Sequence, residues 1–145
     1  MFKNIFKKKE KKENLQENKC MMVAALLVHA AKIDDNYTNS EREIIKKSLI
    51  ELNLTSSENA EKVLVNAEEK EKESNQIIEF TKEIKKNSIE FRMNIIEILW
   101  KIVYSDGTND KYEANLIRRI CGLLYVSDKD SGMIKLKINR LINKI

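Results

Sequence analysis

The chain has 145 residues, enough for one domain with a sizeable core, and 34% of its residues are charged. It has no proline and only three glycines, which argues against a strand-rich protein because strands need frequent turn-forming residues. The net charge of +4 is carried by the lysine-rich start of the chain, and the remainder is neutral. Because a nucleic-acid-binding domain carries its positive charge on the folded body, we expect no nucleic acid partner.

Residues 1–19 form a lysine-rich leader that we expect to be flexible. Phe2, Ile5 and Phe6 precede most of its lysines, so the alternative is a short amphipathic helix resting on anionic lipid. With only three large apolar side chains, that membrane contact would be weak.

Residues 20–31 are an apolar run that we interpret as a core helix. A basic leader followed by such a run also resembles a signal peptide, but a matching segment lies in the middle of the chain. The run is too short to span a bilayer. Cys20 and Cys121 have no metal-binding or CxxC spacing, which favours packed thiols in the reducing cytoplasm.

Apolar spacing and capping signals predict six further helices. Thr38 with Glu41 forms a capping box that opens the second helix, and Ser88 with Phe91 opens the most apolar one, residues 89–105. We expect Trp100 on that helix to be buried between two halves of the domain, and residues 68–73 to be the exposed end of another. The last helix has one apolar stripe, which comprises Ile134, Ile138, Leu141, Ile142 and Ile145. The sequence therefore predicts an all-α, single-domain bundle of about seven helices spanning residues 20–145.

The domain contains an internal repeat, whose register is set by aligning Asp34 with Asp106. In this register Glu41 also aligns with Glu113, and apolar positions of the flanking helices match as well. The matching apolar pairs are Val23/Ile95, Leu27/Leu99, Ala31/Val103, Ile45/Ile117 and Leu52/Leu124. The repeat predicts two related helix–acidic loop–helix halves.

The second half of the chain resembles the TerB-like family of tellurite resistance proteins. The resemblance covers the run IIEILWKIVYSDGTNDKYEANLIRRICGLLYVS. The resemblance lies in the branch marked by LW…YADG…E…LIRR…LLGVS. The first half of the chain is similar to the first half of the same family, over the run AALLVHAAKIDDNYTNSEREIIKKSLIELNLTSSE. Three positions depart from the pattern. Ser105 replaces alanine, Asp35 stands where glycine is frequent, and Tyr125 replaces a glycine, which is unfavourable for the tight turn expected there.

The resemblance implies an all-α bundle of related halves with an acidic surface that holds divalent cations. It also implies a place in envelope or metal-stress systems that include membrane proteins, so we expect a protein partner, with a membrane protein as one candidate. A similar module occurs at the N-terminus of a membrane-anchored DnaJ-type co-chaperone. No catalytic mechanism accompanies the family.

Two acidic loops supply the predicted metal ligands for Ca²⁺, Mg²⁺ or Mn²⁺. We define the first acidic loop by Asp34, Asp35 and Glu41, and the second acidic loop by Asp106, Asp110 and Glu113. Hard cations need several such oxygens, although the spacing is not that of an EF-hand. In the alternative interpretation the loops only cap helices, with Thr38 and Asp110 as N-caps. Capping leaves Asp34 and Asp106 unexplained, because a helix C-terminus disfavours a carboxylate.

The sequence thus favours a non-enzymatic, TerB-like module that binds a partner and a divalent cation in a membrane-linked or tellurite stress response. The alternative is a membrane-peripheral adaptor that acts through its basic leader. A metal-dependent hydrolase is disfavoured, because the single histidine, His29, lies on an apolar helix side and is expected to be buried and hydrogen-bonded.

Overall fold

The computed structural model describes the backbone of residues 2–33, 35–74, 76–105 and 111–143. Side chains are described for residues 15–33, 35–74, 76–105 and 114–142. These ranges contain seven helices and no strand, so the predicted all-α fold is confirmed. The helices are α1 (Phe2–Lys32), α2 (Asn39–Glu51), α3 (Ala60–Glu73), α4 (Ile78–Ile84), α5 (Ile89–Ser105), α6 (Lys111–Leu124) and α7 (Asp128–Asn143).

Helix α1 is the most enclosed element of the bundle. Its residues 22–28 are buried without interruption, and α2, α3, α4 and α5 all pack against it. Helix α5, the most apolar helix in the sequence, is less completely enclosed, because Ile89 at its start is 46% exposed. Because a helix can be buried around its whole circumference only when neighbours cover every side, α1 is the helix around which the others assemble.

The leader is part of α1. The backbone is helical from Phe2 to Lys32, where we expected a flexible segment before residue 20. Burial changes within this helix, since Leu15 is 67% exposed and Cys20 is 3% exposed. Residue 20 therefore marks where α1 enters the core, and the backbone of the leader continues the same helix. Among the residues that the structure describes, no helix is long and apolar enough to cross a membrane.

The ends of α2 and α6 share one turn geometry. Asn53 and Tyr125, which align in the register of the predicted repeat, have φ angles of 58° and 54°. The next amide in each turn donates across it: Leu54 N–H to the Leu49 carbonyl (3.0 Å) and Val126 N–H to the Cys121 carbonyl (2.9 Å). These are the hydrogen bonds of a Schellman motif. The repeat predicted from the sequence is therefore also present in the backbone.

Tyr125 forms this tight turn although it is not glycine. A left-handed conformation costs a residue with a Cβ about 1 kcal/mol. The Tyr125 side chain contacts Lys85 at the end of α4, whose Nζ donates to the Tyr125 hydroxyl at 3.0 Å. The same Nζ lies 4.2 Å from the ring centroid, and this ammonium lowers the pKa of Tyr125. The turn thus also joins α6 to α4.

Trp100 is buried, as predicted, and its indole N–H is hydrogen-bonded within the second half. Its side chain is 6% exposed, and its Nε1–H donates to Ser131 Oγ of α7 at 3.2 Å. Lys135 Nζ, also of α7, lies 5.0 Å from the ring centroid. Trp100 therefore anchors α7 to α5 within the second half, because the indole N–H needs a buried acceptor and α7 supplies it.

The apolar stripe of α7 is only partly buried. Ile138 is 1% exposed, but Leu141 and Ile142, which we expected to face the core, are 55% and 42% exposed. Ile145 lies outside the described residues. Among the described residues, helix α7 packs mainly on α5 and to a lesser extent on α6, and its last described turns extend past the surface that these helices cover.

We predict that Trp100→Ala lowers the free energy of unfolding by about 3–5 kcal/mol, because it empties a large buried site and removes the link to Ser131. Urea denaturation followed by circular dichroism measures this loss. Ile89→Ala on the exposed start of α5 is the matched control and should cost less than about 1 kcal/mol. Equal losses in the two variants would contradict the anchoring role of Trp100.

Candidate functional site

The first acidic loop begins where α1 ends. Asp35 N–H donates to the Lys32 carbonyl at 3.0 Å, and Asp35 has a φ of 59°. Aspartate tolerates this left-handed conformation better than most side chains, which accounts for Asp35 where the family resemblance places a frequent glycine. Its carboxylate is exposed. Asp34 lies outside the described residues, so its predicted metal-binding role stays a prediction.

Glu41 is a helix cap at the other end of this loop. Thr38 Oγ1 accepts from Glu41 N–H at 3.1 Å, and Glu41 Oε1 accepts from Thr38 N–H at 3.2 Å and from the Thr38 hydroxyl at 3.1 Å. The predicted capping box is confirmed, and Glu41 is fully buried within it. One of its two carboxylate oxygens is thus committed to the cap, whereas Asp35 of the same loop lies at the surface.

A charge network lies beneath the loop, between α2 and α3. Arg42 donates from Nε to Glu68 Oε2 at 3.0 Å and from Nη2 to Glu68 Oε1 at 3.1 Å. The same Nη2 donates to Glu61 Oε1 at 2.9 Å, and Lys46 Nζ reaches Glu61 Oε2 at 3.0 Å. Two-pronged arginine–carboxylate pairing is among the stronger charged hydrogen bonds in proteins, so this network fixes α2 against α3.

The network changes the pKa values of its members. Burial, the largest single influence, would raise the pKa of Glu68, but the hydrogen bonds from Arg42 and Tyr37 together with the Arg42 charge hold that pKa below its usual value. The pKa of Arg42 is raised, chiefly by its bonds to Glu68. Burial, followed by the neighbouring Glu68 carboxylate, raises the pKa of Tyr37 above its usual range. All three groups therefore keep one protonation state at neutral pH.

A second ion pair fastens the end of α1 to α3. Glu71 accepts from His29 Nδ1 at 3.2 Å and from Lys32 Nζ at 3.0 Å. His29 is hydrogen-bonded, as predicted, but its side chain is 32% exposed rather than buried. The charge run at 68–73 is also not simply an exposed helix end, because the Glu68 and Glu71 side chains are only 20% and 13% exposed.

Sequence reasoning missed this pairing, although a signal was present. Arg42 is the only arginine before Arg92, and Glu61 and Glu68 lie seven residues apart on α3, which places them on one helix face. An isolated arginine four residues after an N-cap, followed in the next helix by two glutamates on one side, is a pattern that predicts ion pairs between the two helices.

The second acidic loop contributes no described side chain. Asp106 and Asp110 lie outside the described residues, and Glu113 has a described backbone within α6 but not a described side chain. Among the side chains that the structure describes, no group of three or more His, Cys, Asp or Glu residues could hold a metal ion. Of the six predicted ligands, only Asp35 and Glu41 are described, so the complete site stays a prediction.

The described thiols are poor nucleophiles. Cys20 and Cys121 are both free and buried. Burial raises the pKa of Cys20 to about 11, and burial is also the main cause that raises the pKa of Cys121. A thiol that stays protonated at neutral pH is a weak nucleophile and a weak metal ligand.

We predict that Arg42→Met lowers the free energy of unfolding at neutral pH by about 1.5–3 kcal/mol, because it leaves the Glu68 carboxylate without its charged donor. The lowered pKa of Glu68 adds stability above the pKa of an unfolded glutamate, and this stability is lost as pH falls through the folded value. The wild type should therefore lose more stability than the variant as pH falls below about 5.

Denaturant midpoints measured at several pH values test this expectation. Arg140→Met removes an exposed arginine and is the matched control, which should change stability by less than about 0.5 kcal/mol. Parallel pH profiles for the wild type and Arg42→Met would show that the pairing with Glu68 adds nothing to stability.

Comparison with known proteins places the chain in a family. The family model described as tellurite resistance protein TerB matches residues 21–136, which include α2 to α6, the buried part of α1 and both acidic loops. No curated protein and no solved structure matches the chain. Because the matched region covers most of the chain and contains both repeated halves, the chain belongs to the TerB family.

Proposed function

We propose that this TerB domain is a non-enzymatic binding module of the cytoplasm that holds a divalent cation at its acidic loops. In this proposal it binds a protein partner within a membrane-linked or tellurite-type stress response. The charge balance around the first acidic loop carries the proposal. The three basic side chains nearest to this loop in sequence, His29, Lys32 and Arg42, are all bonded to carboxylates of α3.

The basic side chains nearest to Asp35 in sequence are therefore already paired with other carboxylates. No ion pair or side-chain hydrogen bond of Asp35 exists within the described part of the chain. Asp35 also follows the C-terminal end of α1, where the helix carbonyls make the local potential negative. A carboxylate in that position is destabilising unless a positive charge balances it, and the neighbouring cations are already occupied. A divalent ion from solution would supply that charge.

The packing of α5 supports a site that uses both loops. Lys19 Nζ of α1 lies 4.2 Å from the ring centroid of Phe91, near the start of α5. Toward the other end of α5, Lys101 and Ser105 share a groove with Ser48 of α2. The helix that precedes the second acidic loop therefore contacts both helices that flank the first acidic loop, α1 and α2.

The test is a thermal melt at constant ionic strength with and without millimolar Ca²⁺, Mg²⁺ or Mn²⁺. A bound cation stabilises the fold by RT ln(1 + [L]/Kd), so at least one ion should raise the melting temperature. Asp35→Asn and Asp106→Asn should both reduce this gain. Asparagine also tolerates the left-handed conformation, so Asp35→Asn removes the charge while keeping the backbone of the loop.

The control separates cation binding from helix capping. Asp110→Ala should cost about 0.5–2 kcal/mol whether or not the metal is present, because its proposed role is an N-cap. In contrast, Asp106→Asn should slightly raise the metal-free stability, because it removes a carboxylate from a helix C-terminus. If the melting temperature is unchanged by every ion, the acidic loops only cap helices.

The second candidate function is a membrane-peripheral adaptor, which the continuity of α1 favours. The lysines of the leader belong to a helix that runs directly into the core, so lipid contact there would hold the whole domain at the membrane.

We predict that deleting residues 1–17 leaves the melting temperature nearly unchanged, because the described side chains at 15–17 are exposed. Deleting residues 1–22 also removes the buried Cys20 and Met22 and should lower the melting temperature strongly. Co-sedimentation with anionic liposomes then decides between the functions. If the full chain binds and the chain without residues 1–17 does not, the adaptor is favoured, whereas absence of binding by both excludes it.

A further inference from the structure

A cleft of about 590 Å³ lies between α1 and α3, near the point where the chain passes from α2 into α3. It is lined by Cys20 and Met21 of α1, by Val63 and Asn66 of α3, and by residues 54–56 of the connection. A cleft of this size can accept a side chain or a small molecule from outside the domain. It includes neither the acidic loops nor the charge network between α2 and α3.

The second half of the domain contains an equivalent position. In the register of the repeat, Cys20 aligns with Arg92, and Thr55, which also lines the cleft, aligns with Ser127. In both halves the third helix packs on the first, since α3 contacts α1 and α7 contacts α5. The ends of α2 and α6 share the Schellman geometry. The second half therefore shows what this position holds when a long side chain is present.

Arg92 binds the end of α6 from this position. Its Nη1 donates to the Leu124 carbonyl at 2.7 Å, and its Nε donates to the Asn87 carbonyl at 3.2 Å. The last carbonyls of a helix lack partners within the helix and make the local potential negative. A guanidinium group answers both needs, because it is a cation with several N–H donors.

Cys20 cannot take this role in the first half. Its side chain is short, and burial raises the pKa of its thiol to about 11, so that it is uncharged at neutral pH. Within the described part of the chain, no donor reaches the carbonyl of Leu52, which aligns with Leu124. The first half thus has the helix ends that bind a guanidinium in the second half, but it lacks the arginine. The group must then come from another molecule.

The polar side chains of the cleft suit such a group. Glu17 supplies a carboxylate, which has no ion pair or side-chain hydrogen bond within the described part of the chain. Gln16, Asn59 and Asn66 supply amide oxygens. A planar guanidinium is the donor best matched to a carboxylate with several acceptors around it. Lys62 is the only basic residue in the lining, and because it is exposed its ammonium can stay in solvent.

We propose that the cleft between α1 and α3 binds an arginine side chain of a partner protein, which takes the position that Arg92 has in the second half. The guanidinium pairs with Glu17, and the aliphatic part of the side chain lies against Met21 and Val63. The inference deepens the partner-binding part of the proposed function and rests on it, but it does not involve the acidic loops.

The test is an NMR titration of the isotope-labelled full chain with N-acetylarginine amide, which presents the side chain without terminal charges. Amide signals of residues 16–21, 54–56 and 59–66 should shift and reach saturation. N-acetylcitrulline amide has nearly the same shape without the charge and should shift them much less. N-acetyllysine amide carries the charge without the planar group and should also bind more weakly.

Two glutamate variants separate the cleft from general attraction to acidic groups. Glu17→Gln should weaken binding of the arginine derivative about fivefold, because it removes the carboxylate of an exposed ion pair. Glu90→Gln removes an exposed carboxylate of α5 that does not line the cleft, and it should leave binding unchanged. Because both side chains are exposed, neither substitution should alter the thermal melt.

Arg92→Ala tests the equivalence of the two halves. Removing this guanidinium frees the corresponding position at the end of α6, so the arginine derivative should then also shift the amide signals of residues 124–128. Unchanged signals there in the folded variant would show that the two positions are not equivalent, which removes the basis of the proposal.

The proposal is also overturned if the arginine and citrulline derivatives bind equally, if Glu17→Gln binds like the wild type, or if the wild type shows no shift. Self-association of the wild type that Glu17→Gln abolishes, measured by analytical ultracentrifugation, would assign the cleft to a second copy of the chain instead. A chain that ignores the arginine derivative but gains melting temperature with divalent ions loses this inference and keeps the cation site.

Discussion

The unbroken burial of residues 22–28 in α1 is the constraint on which the rest of the structure depends. Seven consecutive helical positions face every direction around the axis, so four other helices must surround this segment. Each surrounding helix then needs only one apolar side toward α1, which leaves its remaining surface free for charges. Polar groups return where α1 leaves the core, at His29 and Lys32, and both are balanced by Glu71 of α3.

The two halves share their backbone plan and differ in their third helices. The Schellman turns at Asn53 and Tyr125 have the same geometry at equivalent positions of the repeat. The third helix of the first half, α3, turns Glu61, Glu68 and Glu71 toward basic groups of α1 and α2. The third helix of the second half, α7, presents apolar and basic groups to solvent instead. The duplicated plan thus ends in one helix whose carboxylates pair within the domain and one whose exposed side chains are largely apolar or basic.

The fold was predictable because its signals are local. These signals are helical periodicity and the capping residues, each of which involves positions no more than four residues apart. The structure contains the hydrogen bonds expected of the capping residues, which are the capping box at Thr38 and the serine caps before α5 and α7. The repeat also indicated the correct pairing of buried positions. The helical backbone of the leader was not predicted, because a high charge content alone does not prevent a helix that continues an existing one.

The pairing between helices was less predictable, because it depends on how helices rotate against one another. Trp100 was correctly expected to be buried, yet its partner Ser131 lies 31 residues away on a helix whose orientation no local signal specifies. Arg42 and its carboxylates on α3 were missed for the same reason. At the predicted cation site, the capping role of Glu41 was predicted correctly and Asp35 stays a predicted ligand, while four of the six proposed ligands have no described side chain.

The continuity of α1 has a mechanical consequence. The helix has 31 residues, which corresponds to about 46 Å, and no glycine or proline interrupts it between Phe2 and Lys32. Sharp bends in helices need such residues or a defect in the hydrogen-bond ladder. An attachment at the leader would therefore set the orientation of the domain as well as its position, because rotation of the first turns is transmitted along a rigid axis into the core. The first acidic loop, which follows Lys32, begins at the opposite end of this helix from the leader.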